Sequence, residues 1–124
     1  MILLVPVLAM AAAPIETSTD PVQRYSNCVI WKAGDLEPSG EAANLIANAV
    51  APECDGLLQA AATTLTDEFL SKPDMVEYQK RYSVNRSSLV AANAETLRKS
   101  ATEKAELLVI ELRAKRAKAA NAKN

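Results

Sequence analysis

From Val22 to Leu112 the apolar residues of this chain recur at helical spacing, and nowhere do they alternate with polar ones over a sustained stretch. Such spacing lines one face of a helix, not of a strand, and so restricts the chain to an all-α fold. Its 124 residues make one domain. Hydrophobic residues are 49 % of the chain, enough to exclude wholesale disorder, but aromatics are only 4 % and alanine carries much of the apolar count. An alanine-based interior buries little area per residue, so burial alone stabilises it modestly. Domains of this kind need a covalent staple or a partner.

Cys28 and Cys54 are the only cysteines, and the chain contains no His. Without an imidazole there is no Cys–His pair, no Ser–His–Asp triad and no His metal ligand. Two thiolates alone do not complete a tetrahedral zinc site, and the spacing is not Cys-x-x-Cys. The alternatives left are a structural disulfide in an oxidising compartment or two reduced, buried thiols. The bridge is the expectation here, and closing its loop stabilises by roughly 3 kcal/mol.

The N-terminus points the same way. Ile2–Ala13 is uncharged, ends in small residues, and offers Ala9-Met10-Ala11 and Ala11-Ala12-Ala13 as small-x-small cleavage sites. That is the layout of a secretory signal peptide, expected over residues 1–13 with a flexible lead-in over 14–19. The run is too short for a spanning helix, which needs roughly 20 apolar residues. Its leading region lacks Lys and Arg, so either the signal is minimal or the true start lies upstream of Met1. The competing reading is a buried N-terminal element of a cytosolic protein. Export to the periplasm or beyond is the expectation.

A single helical domain is expected over 20–118, with a basic frayed tail over 119–124. Asp20-Pro21-Val22-Gln23 opens helix A as cap, first-turn proline and capping-box glutamine, and Gly34 offers its stop after Ala33. Ser39 is the expected cap of helix B, with Ala42, Leu45, Ile46, Ala49 and Val50 as its stripe. Pro52 forces a kink or a fresh start before a segment reaching Leu70. From Pro73, capped by Ser71, helical spacing runs on to Lys118, a length of about 69 Å if unbroken. An interruption is expected near Ser83–Ser88. The result is a small hairpin or three-helix arrangement with a long C-terminal helix and one disulfide. Joining the two sulfurs requires an extended Gly34–Pro38 connection or a bend at Pro52.

Net charge is −1, but residues 1–71 carry −7 and residues 72–124 carry +6. Packed side by side, the halves attract; screening makes that a matter of orientation rather than stability.

Candidate sites are few. Leu107, Leu108, Ile110 and Leu112 are apolar on more than one helix face, which reads either as a self-association or partner surface, coiled-coil-like on so long a helix, or as ordinary packing against helices A and B. Arg113, Lys115, Arg116 and Lys118, with Lys123, read either as a contact for anionic lipid head groups or as a solvated helix end complementing the helix dipole. No aromatics interleave with them, so nucleic acid is not an expected partner. Tyr25, Trp31, Tyr78 and Tyr82 read either as the lining of a small pocket or, as helical spacing favours, as core anchors. Asn85-Arg86-Ser87 matches the glycosylation sequon, a short pattern with a high chance rate. The carboxylate clusters Glu53-Cys54-Asp55 and Asp67-Glu68 form no paired acid–base site, and neither a calcium loop nor a phosphate-binding glycine loop is present. No cofactor, metal or catalytic role is expected. The function expected is a non-catalytic exported protein acting through protein–protein contact or self-association, with anionic-surface binding as the alternative.

Overall fold

The computed structural model describes residues 19–122. The expected signal segment 1–13, the lead-in up to residue 18, and Lys123 lie outside the described residues. Helix α1 spans Pro21–Leu36, α2 Ala43–Val50, α3 Asp55–Leu70, α4 Pro73–Tyr82 and α5 Arg86–Ala122; short 3₁₀ turns occupy Glu37–Ser39 and Ala51–Cys54. No strand occurs among the described residues, so the fold is all-α as the apolar spacing implies.

Asp20 caps α1, its Oδ1 accepting from the Val22 N–H at 3.1 Å, with Pro21 in the first turn. Gly34 does not end the helix. It stays helical, and the chain reverses only at Gly40, whose φ of +81° is the left-handed conformation glycine favours. The extended Gly34–Pro38 connection is therefore absent. Ser39 does not cap a helix either; its Oγ accepts from the Glu41 N–H within the turn, and α2 begins later, at Ala43. This late start and the turn over Pro52 remove the length mismatch that the extended connection was to absorb. Cys28 and Cys54 are bonded, their Cα atoms 6.0 Å apart.

Pro52 enforces a fresh start: the helix ends at Val50 and α3 begins at Asp55. Ser71 serves the end of α3 rather than the start of α4, its hydroxyl donating to the Glu68 carbonyl. The long C-terminal run is interrupted at Ser83–Asn85, where Ser83 has φ +50°. Asn85 then caps α5 by accepting from the Ser87 and Ser88 N–H groups, so the sequon asparagine is the N-terminal cap. At 1.5 Å per residue α5 is about 55 Å long. Its helix continues through Ala119–Ala122, into the segment expected to fray.

α1, α3 and α5 pack against one another, with α2 against α1 and α5. The core they share is thin: Ala33, Ala47, Ala51, Ala61, Ala101 and Ala105 supply much of it, around Tyr25, Val29, Ile46, Val50, Leu58 and Val109. Among the four expected aromatic anchors only Tyr25 is buried; Trp31, Tyr78 and Tyr82 are exposed. α4 touches α3 alone to any extent and buries none of its residues, and Tyr78 and Tyr82 pack on each other at its surface. Helical spacing places these rings on a face, but no element among the described residues covers it.

The opposed charges of the two halves meet. Asp55 lies 3.7 Å from Arg98, Asp67 pairs with Arg86, and Glu37 pairs with Arg113 and Arg116. A buried polar link joins α3 to α5: Thr66 donates to the Ala62 carbonyl at 2.7 Å and accepts from the Asn93 amide at 2.8 Å.

Candidate functional site

Successive residues on a helix are rotated by about 100°, so the cluster Leu107–Leu112 is divided among three directions. Val109, with Ala101 and Ala105, enters the core. Leu108 and Leu112 are half-buried and border α1, where with Ile30, Trp31, Gly34 and Asp35 they line a shallow groove of about 270 Å³. Leu107 and Ile110 face outward and are 58 % and 49 % exposed. The four residues singled out in the sequence therefore form two surfaces: a groove against α1 and a strip on the outer face of α5.

That outer strip is longer than the two large residues. Ala114 and Ala117 continue it, and both are exposed. Leu107, Ile110, Ala114 and Ala117 follow one another at steps of three, four and three, the spacing of a helix–helix seam. In the sequence the dense Leu-Leu-Val-Ile run masks these alanines, although all four positions share one heptad spacing.

The basic cluster is divided as well. Glu37 is only 2 % exposed although charged. Arg116 binds both of its carboxylate oxygens, one at 2.8 Å, and Arg113 donates to its backbone carbonyl at 3.1 Å. This fork locks the end of α1 to α5 through a charge-assisted pair. Two of the four cations expected at an anionic surface are therefore engaged inside the molecule, while Lys115 and Lys118 remain exposed. Sequence reading missed Glu37 because nothing local marks it: it precedes a proline in a turn, and its partner lies 79 positions away.

Tyr25 is fully buried, and its hydroxyl has no hydrogen-bond partner among the described residues. Burial raises its pKa above the usual 10.0; the Arg98 charge opposes this, and Asp55 and Glu95 add to it. Among the described residues no group of three His, Cys, Asp or Glu side chains is placed to hold a metal ion, and no helix is long and apolar enough to cross a membrane. Comparison of the chain with protein-family models, curated proteins and solved structures finds no match.

Proposed function

We propose that this is a non-catalytic helical protein, exported to an oxidising compartment, that acts through protein–protein contact at the outer face of α5. The observation that carries the reading is the distribution of apolar bulk. The interior is built largely of alanine, while Leu107 and Ile110 stand on a helix face that no other element among the described residues covers. Large apolar side chains grouped on a solvent face are a feature of interaction surfaces. The disulfide supports an oxidising environment, and the signal-like layout of Ile2–Ala13 supports export.

The test is cross-linking of the oxidised protein in cell-envelope preparations, followed by recovery and mass spectrometry. The wild type is expected to capture a protein, itself or another, and L107S/I110S to lose it. Equal recovery by the two would contradict the reading. Among the described residues of the basic cluster, Lys115 and Lys118 are left as the unengaged cations, and anionic-surface binding predicts salt-sensitive adsorption to anionic vesicles that K115A/K118A weakens.

A further inference from the structure

We infer that the outer face of α5 pairs with the same face of a second copy, antiparallel, about a two-fold axis passing beside Leu108 and Val109. This rests on the protein-contact reading and names its partner. Register and charge select this arrangement. With Leu107, Ile110, Ala114 and Ala117 as the seam, Lys104, Glu111 and Lys118 flank one side, and Lys99, Glu106 and Arg113 the other. Lys104, Glu106 and Glu111 enter no ion pair among the described residues.

Consider first a parallel, in-register pair, in which each flanking residue faces the one five positions on in its partner. Lys99 then meets Lys104, Glu106 meets Glu111, and Arg113 meets Lys118. All three contacts are between like charges.

In the antiparallel arrangement flanking residues face their own kind across the axis. When Leu107 lies opposite Ile110 of the second copy, Lys104 faces Glu111 and Glu106 faces Arg113, each twice by symmetry. Arg113 keeps its bond to the Glu37 carbonyl, and its side chain is still 30 % exposed. Sliding the pair by one heptad, so that Leu107 meets Ala117, sets Glu111 against Glu111 and Lys104 against Lys118. The charges therefore select one orientation and one register, with the two large apolar residues packed at its centre.

Glu103 falls on the seam opposite Ala114, whose small side chain lets the carboxylate reach the edge. The apolar seam is thus short, well under the ~800 Å² per partner of a standard interface. It fits a weak association, with a Kd of roughly 10–100 µM.

Sedimentation equilibrium of the oxidised full chain tests this. The wild type is expected to dimerise in that range. K104E and E111K each set like charges against one another twice, and each is expected to weaken the dimer about tenfold. Mixed in equal amounts, the two variants regain opposite charges at both contacts and are expected to associate as tightly as the wild type. Far-ultraviolet circular dichroism checks that these exposed substitutions leave the fold intact. A parallel pair predicts the opposite for K104E, which would turn the Lys99–Lys104 contact attractive and tighten the dimer. A monomeric wild type at 1 mM, as an order of magnitude ten times above this range, overturns the inference. So does a dimer indifferent to both charge reversals, or variants that fail to rescue each other. If the chain is monomeric but cross-linking still captures a different protein through Leu107 and Ile110, the second copy is wrong and the protein-contact reading survives.

Discussion

Replacing Arg116 by alanine leaves Glu37 in place without the group that satisfies it. The carboxylate is almost entirely buried, and Arg116 supplies the hydrogen bonds to both of its oxygens. Removing one member of a fully buried ion pair costs about 3–5 kcal/mol. Two features reduce that figure here. The Arg116 side chain is 60 % exposed, so water already screens the pair, and Arg113 remains 3.7 Å from the carboxylate. A cost of about 1.5–3 kcal/mol follows, or a fall in melting temperature of roughly 6–24 °C for a domain of this size. The assay is urea denaturation of the oxidised protein followed by circular dichroism, with K115A as control because Lys115 is exposed and enters no ion pair among the described residues; it should cost no more than about 0.5 kcal/mol. In a Glu37→Met background, which removes the charge and keeps the volume, R116A should also fall below about 0.5 kcal/mol. If R116A costs no more than K115A in the native background, the buried fork is not holding α1 to α5.

Four further outcomes follow from particular residues. Gly34 is inside α1, and a Cβ there would meet Leu108 Cδ2 at 3.6 Å, an ordinary contact; G34A should therefore stabilise by about 0.5–1 kcal/mol, read as a raised urea midpoint. Tyr25 has a buried hydroxyl without a partner among the described residues, so Y25F should be neutral or stabilising by up to about 1 kcal/mol, where a hydrogen-bonded tyrosine would lose stability. The raised pKa of Tyr25 means that above about pH 10 the unfolded chain loses the phenolic proton while the folded chain keeps it. Stability must then fall as pH rises through that region, with no contribution from Tyr25 below it, and Y25F should flatten this alkaline limb in pH-dependent melts. Finally, α4 buries nothing, and its amides should exchange with deuterium far faster than those of α1 and α5 near the disulfide and Val109; equal protection would show that α4 shares the global unfolding unit.

The parts of the fold legible in the sequence were those governed by local chemistry. Asp20-Pro21 opens a helix because both residues suit its first turn, and Pro52 starts a new one because a helix interior has no place for it. The break near Ser83 follows from a cluster of serines and asparagine that compete for backbone bonds. The pairing of Cys28 with Cys54 followed from there being no other thiol. Signals that depend on a neighbour in space were misread. Gly34 looks like a stop, but it lies beside Leu108 in a helix held on both sides by packing. Tyr78 and Tyr82 have helical spacing, yet spacing says nothing about whether a second element arrives to cover the face. At the candidate site the apolar run was visible, but not its division between the α1 groove and the open strip, which depends on which way α5 is turned. Glu37 could not be found at all, because burial of a turn glutamate depends on two arginines far along the chain.

One sulfur bridge ties α1 to the turn before α3, and through it the thin, alanine-rich interior is expected to keep its arrangement. The most direct measurement of this is the urea midpoint of the oxidised protein against that of C28S/C54S, at equal concentration and under identical buffer. The cysteines are 26 positions apart, and a loop of that length contributes about 3.5 kcal/mol through the unfolded chain. The account predicts a loss close to that, large enough to leave the variant only marginally folded. Superimposable unfolding curves would contradict it, and would mean that the helices hold their places without the bridge.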